Sequence, residues 1–166
     1  EIDTHLKSLK ILTNKTAVNL QDHYLKKILL NIYSPFQENF KDKKIRNNFE
    51  RIDDSLKINV DYKIFSLVMH HFFDNAVKYS KEESEMCFVV SKEGKLIINM
   101  HSLTIEEDER VFDIGVSGHN ADIHAGNGIG MFVIKQGLNI MDMDIQLTND
   151  GKLEKSIMFS KNTFII

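Results

Sequence analysis

Residues Gly126-Asn127-Gly128-Ile129-Gly130-Met131-Phe132-Val133-Ile134-Lys135 form a Gly-x-Gly-x-Gly turn that runs directly into an apolar helical stripe. Such a turn sets where a helix starts and how closely another group can approach that start. Glycines on an opening turn let backbone N–H groups come near a bound group. The same turn puts the positive end of the helix dipole where a phosphate can sit. A mobile glycine turn between a loop and a helix has the same pattern, so this segment needs a second signal. Some fifty residues earlier stands Phe73-Asp74-Asn75-Ala76-Val77-Lys78-Tyr79-Ser80.

A helix is expected from the cap Asp61 through Tyr79, with Ile64, Leu67, Val68, Phe72 and Ala76 on its apolar side. His71, Asn75 and Tyr79 are successive i, i+4 positions, and Lys78 is i+3 from Asn75. One face therefore displays an amide, an ammonium and a phenol at the end of an otherwise apolar helix. An amide oxygen is a reasonable Mg²⁺ ligand when phosphates and waters complete the octahedron. A lysine nearby can pair with phosphate. The plainer reading is a helix that simply ends at Lys78 and Tyr79, with Asn75 hydrogen-bonded locally.

Periodicity sketches the rest. Ile2, Leu6, Leu9 and Thr13 suit a helical seam, followed by a linker at Asn14-Lys15-Thr16. A helix is expected near the capping candidate Asp22, with Leu25, Ile28, Leu29 and Ile32 buried, ending at Ser34-Pro35. Strands are expected around Ile45 to Ile52 and Ser55 to Val60, and a hairpin of Met86–Val90 and Leu96–Met100 turned at Glu93-Gly94. Residues 106 to 112 read as a short helix, and Gly115 to Gly128 as a mobile loop. The helix from about Gly128 to Ile140 should bury Ile129, Phe132, Val133, Gly137 and Ile140. Final strands at about Asp144 to Thr148 and Lys155 to Phe159 should be joined by the Asn149-Asp150-Gly151 turn. The order is α+β, with helices on one face of a mixed sheet.

Composition excludes several classes. The chain of 166 residues, 42% apolar and with a net charge of −3, gives no electrostatic case for binding nucleic acid or a membrane surface. No apolar run approaches a membrane span, so no direct membrane insertion of this segment is expected. Cys87 stands alone, which fits a reducing, cytoplasmic setting. The opening Glu1-Ile2-Asp3 lacks methionine, as expected of a processed chain or a segment of a longer one.

Taken together, the two motifs resemble those of sensor histidine kinases. Asp74 to Ser80 resembles their N box, and Gly126 to Met131 their second glycine box. Glu109-Arg110-Val111-Phe112-Asp113 resembles the segment with a buried Phe between the two glycine boxes, and Asp61 matches their helix start. The resemblance covers residues 18 to 166 and implies the Bergerat fold, a two-layer α/β sandwich shared with type II topoisomerase, Hsp90-type and MutL ATPases. Residues 1 to 17 would then end a dimerisation and phosphoacceptor hairpin, and the full-length protein would be a homodimer through these helices. By position, Asn75 would hold Mg²⁺, and Lys78 and Tyr79 would contact ATP. Gly126, Gly128 and Gly130, with Ile129 and Met131 between and after them, would line the phosphates. Gly115 to Ala125 would form the lid. Asn127 either contributes or points to solvent. A phosphoacceptor histidine domain and a response regulator are the implied partners.

Two departures qualify the resemblance. The first glycine box, Asp-x-Gly-x-Gly-Ile in the family, falls at Met100-His101-Ser102-Leu103-Thr104-Ile105, so Met100 stands where a carboxylate accepts the adenine amino group. A thioether is a weak acceptor. Losing that bond costs about 1.5–3 kcal/mol, roughly ten- to hundredfold in affinity. With the register off by one, Asn99 or His101 faces the base instead. The second departure is His71, where hydrolytic relatives carry a glutamate base. It is a candidate catalytic base or Mg²⁺ neighbour, or else a packed histidine. The resemblance implies γ-phosphoryl transfer from ATP to a histidine outside this segment, because His5-Leu6-Lys7 does not form a phosphoacceptor box. The alternatives are a degenerate signalling module that binds nucleotide weakly or not at all, and a hydrolytic ATPase using His71.

Overall fold

The computed structural model describes residues 18–103, 129–149 and 159–166. The expected stub at 2 to 13, the linker, the helix at 106 to 112, the loop from Gly115 to Gly128 and the Asp150-Gly151 turn lie outside them. In chain order the elements are β1 (Gln21–Tyr24), α1 (Leu25–Tyr33), a 3-10 turn (Ser34–Phe36), α2 (Gln37–Asp42), β2 (Arg46–Asn48) and β3 (Lys57–Val60). Then follow α3 (Tyr62–Tyr79), β4 (Glu85–Val90), β5 (Leu96–Leu103), α4 (Ile129–Ile140), β6 (Gln146–Asn149) and β7 (Phe159–Ile165). The main sheet runs β2-β4-β5-β7-β6, and β1 pairs with β3 in a separate antiparallel ribbon. Among the described strands of the main sheet β2 and β4 run parallel and the other pairs antiparallel, so it is mixed, and the fold is α+β.

Alternation decides which face of the sheet the helices cover. Met86 lies opposite Met100 and Phe88 opposite Ile98, and all four are buried. Cys87, Val89, Ile97 and Asn99, which point the other way, are only half-buried. The β4–β5 hairpin turns at Gly94, whose φ of +80° suits a residue without Cβ, and Ser91 N–H donates to Lys95 O at 2.8 Å.

Asp61 starts α3 by accepting from the backbone N–H of Lys63 at 3.0 Å and of Ile64 at 3.3 Å. The helix is buried on more than one side, because Phe65, Met69, His71 and Phe73 join the expected Ile64, Val68, Phe72 and Ala76, while Leu67 is half-buried. Phe73 sits in an aromatic knot with ring centroids 5.4 Å from Tyr33, 5.6 Å from Phe36, 6.1 Å from Phe40, 6.4 Å from Phe49 and 5.8 Å from Phe88. The knot draws α1, the 3-10 turn, α2 and β4 onto one point of α3. Offset and edge-on pairs of this kind add about 0.5–1.5 kcal/mol each beyond area burial.

Four sequence expectations are corrected. Asp22 caps no helix: it lies in β1 and accepts from Asn59 Nδ2 at 2.8 Å, across the pairing with β3. Pro35 ends α1 but not the helical path, since it occupies the opening of the 3-10 turn, where its missing N–H costs nothing, and α2 follows. The buried stripe of α4 comprises Val133, Ile134, Gly137 and Leu138, with Phe132 and Ile140 half-buried. The last strand runs Phe159–Ile165, and Asn149 pairs with Asn162, so the intervening chain is far longer than the three-residue turn expected at Asn149-Asp150-Gly151.

Helices α3 and α4 meet through glycine. A Cβ on Gly137 would lie 2.6 Å from Val68 Cγ2 and 3.5 Å from Ile64 Cγ2. Gly137→Ala therefore forces the helices apart and should cost about 1–3 kcal/mol, read as a lower urea midpoint at unchanged slope. Val68→Ala in the same protein should recover part of the loss, because the two sites share one contact.

Candidate functional site

The last two turns of α3 carry the polar residues, and the aromatic knot at Phe73 holds those turns in place. Asn75, two residues on, is half-buried, and its Nδ2 donates to Met131 Sδ at 3.5 Å. Met131 belongs to the first turn of α4, next to Gly130. A Cβ on Gly130 would stand 3.5 Å from Asn75 Oδ1 and 3.5 Å from His71 Nδ1. The structure thus brings His71, Asn75, Gly130 and Met131 together at the crossing of two helices. His71 is 1% exposed, packed on the core side of this group.

Because Gly130 has no side chain, a cradle remains between the α4 backbone and the amide and imidazole of α3. It is lined by an amide oxygen, the ligand type a hard cation takes, and by an imidazole nitrogen beside it. The thioether of Met131 is a weak acceptor, so the Asn75 amide can exchange it for a better partner. Among the described residues no group of three or more His, Cys, Asp or Glu is placed to hold a metal ion. A cation here would take its remaining ligands from phosphate and water. The donor set and the open cradle fit Mg²⁺ bound with a nucleotide.

Lys78 pairs with Asp74 at 2.9 Å, both half-buried, in the favourable i, i+4 order with the acid first. This holds the ammonium on the helix end that carries Asn75, and half-buried Tyr79 closes the helix. The end itself is tied down. Ser80 N–H donates to Ala76 O at 3.0 Å, and Lys43 Nζ donates to Val77 O at 2.7 Å. A helix C-terminus leaves such carbonyls without intrahelical donors, and a cation there also complements the dipole. Burial lowers the pKa of the Lys43 ammonium, an effect the Glu82 carboxylate partly offsets.

The end of β5 lies beside this helix end. Ser80 and Ser102 form an isolated antiparallel bridge, and Lys81 N–H donates to His101 O at 2.9 Å. Met100, 2% exposed, points into the helix-facing core row with Met86. Asn99 and His101 alternate onto the opposite face, where both are half-buried. The next side chain after Met100 on the helix-facing side is Ser102, 1% exposed. Ile129 opens α4; Gly126, Asn127 and Gly128 lie outside the described residues. No helix among the described residues is long and apolar enough to cross a membrane.

No family model matches the chain. The sensor histidine kinase ArsS of Helicobacter pylori is 28% identical over 89 residues, which is 53% of this chain and 20% of that protein. The match thus spans a fifth of that relative's length. Among solved structures, the mycobacterial sensor histidine kinase MprB is similar with a TM-score of 0.69 at 12% identity, covering 89% of this chain and 97% of that one. Histidine kinase ThkA in complex with response regulator protein TrrA is similar with a TM-score of 0.66 at 14% identity, covering 99% of this chain and 46% of that one. The chain has the fold of histidine kinase catalytic domains.

The tie from Lys43 to Val77 has its own consequence. Lys43→Met removes the donor that satisfies a half-buried helix-end carbonyl, and should cost about 1–2 kcal/mol of stability. Amide exchange should show the loss concentrated at residues 77 to 81, and Lys43→Arg should restore most of the protection.

Proposed function

We propose that this chain is the ATP-binding catalytic domain of a sensor histidine kinase, acting in two-component signalling. It would pass the γ-phosphoryl group of Mg-ATP to a histidine outside this segment. The observation that carries the reading is the cradle at Gly130, closed on one side by Asn75 and His71 and on the other by the first turn of α4. An anion at a helix N-terminus meets free backbone N–H groups and the positive end of the dipole. Bound Mg²⁺ would neutralise phosphate charge in the transferring group.

The chain's own residues then have separable tasks. Asn75 Oδ1 faces the cradle and serves as the metal ligand. Lys78, kept in place by Asp74, supplies positive charge to the nucleotide, and Tyr79 contacts it at the helix end. Gly126, Gly128 and Gly130 would line the phosphates, with Ile129 and Met131 beside them and Asn127 contributing or facing solvent. His71 Nδ1 lies beside the same cradle, where it would neighbour the metal or serve as a base. Catalysis of this type is mostly positioning and charge neutralisation, so the binding residues are also the catalytic ones. The complex of ThkA with TrrA supports a response regulator as a partner of the parent protein. We place residues 1 to 17 at the end of its dimerising hairpin and the domain on the cytoplasmic side.

Titration of the chain with Mg-ATP tests this reading. Saturable binding below millimolar nucleotide is expected, weakened roughly tenfold or more by Asn75→Ala. Absence of such binding by the wild type would sink it in favour of a degenerate module. Gly130→Ala is the sharper variant. Its methyl fits at ordinary contact distance in a helical position, so the thermal midpoint should hold or rise slightly while nucleotide binding is lost. Steady phosphate release abolished by His71→Ala would point to the hydrolytic ATPase instead.

A further inference from the structure

We infer that Lys43 is a positioning residue of the nucleotide site: without touching the ligand, it holds the peptide unit that carries Lys78 and so fixes where the Lys78 ammonium stands. The inference rests on the nucleotide reading above and concerns how one of its binding groups is kept in place. Helix α3 ends abruptly just past that group. Ser80 N–H still reaches back to Ala76 O at 3.0 Å, but the backbone then turns extended, with Ser80 at φ −68° and ψ 145°. Lys81 N–H, the next donor of the i to i−4 ladder, goes across to His101 O at 2.9 Å instead. Val77 O thereby loses its helical partner, and Lys43 Nζ takes that place at 2.7 Å.

The donor comes from a well-anchored support. Lys43 caps the C-terminus of α2, with its N–H donating to Asn39 O at 3.2 Å, and Ile45 N–H donates to Phe40 O at 2.8 Å. Phe40 is itself fully buried in the aromatic knot against Phe73. A charged donor makes a stronger bond to a carbonyl than a neutral one does. The carbonyl it grips belongs to the planar peptide unit joining Val77 to Lys78, so the bond fixes the plane from which the Lys78 side chain departs. Asp74, at 2.9 Å, restrains the other end of that side chain. Lys78 is thus held at its backbone by Lys43 and at its ammonium by Asp74. With Val77 O released the last turn of α3 frays, and binding a nucleotide then carries the added cost of ordering it.

A double-mutant cycle on Mg-ATP affinity tests this, run well below the thermal midpoint of every variant so that each is folded. Lys43→Met should weaken binding roughly three- to tenfold. Lys43→Arg, which keeps a charged donor, should bind within about twofold of the wild type. Because Lys43 acts through Lys78, its loss should change affinity by less than about twofold once Lys78→Met is present. A cation acting on the phosphates directly would give the same penalty in both backgrounds, and a merely structural residue would leave the affinity of the folded chain unchanged. Either of those results overturns the inference and leaves the nucleotide reading intact. Should Lys43→Met fail to fold, Lys43→Gln, uncharged and one atom shorter, takes its place in the same cycle. Absence of Mg-ATP binding by the wild type overturns both.

Discussion

The close antiparallel approach of α3 and α4 is the constraint on which the candidate site depends. Gly130 and Gly137 are seven residues apart, two helical turns, and so lie on one face of α4. On α3 their neighbours are His71 with Asn75, and Ile64 with Val68, which repeat at the same spacing. At Gly137 the missing Cβ is a packing requirement, because the space is already taken by Val68. At Gly130 the missing Cβ leaves room, and polar atoms rather than methyl groups border it. One helix pair therefore has a tight end that sets the distance and an end bordered by polar atoms.

The far side of α3 explains why that end keeps its shape. Phe73 is gripped by rings from α1, the 3-10 turn, α2 and β4, and lies two residues before Asn75. Below it, Asp61 caps the start of the helix; beyond it, Lys43 and Ser80 close the end. The polar residues lie on a stretch of α3 that is fixed on its apolar side and faces the first turn of α4. Side chains held this way have little freedom left to lose, which is how preorganised sites gain affinity.

Much of this was legible in the chain itself. The Asp61 cap, the extent of α3, the β4–β5 hairpin turned at Gly94 and the start of α4 follow from local rules of capping, turn chemistry and periodicity. Readings that failed were those where a distant partner overrode a local signal. Asp22 looks like a helix cap, but Asn59 claims it across a strand pair. Pro35 looks like a terminator, yet buried Phe36 and Phe40 draw the chain on into another helix. The final strand is set by its pairing with β5 and β6, which no local pattern encodes.

The sequence by itself determined the polar kit and its order: Asn75, Lys78 and Tyr79 at the end of one helix, and a glycine-rich turn at the start of another. Both follow from helical spacing and from the backbone freedom of glycine, which are properties of neighbours in the chain. Only the tertiary structure decided that Gly130 faces Asn75 and His71, that Met100 turns into the core, and that Ser80 and Ser102 share a corner. These contacts join residues far apart in the chain. Their geometry depends on how two helices pack and how strands register, and that is set by the whole core rather than by any one segment.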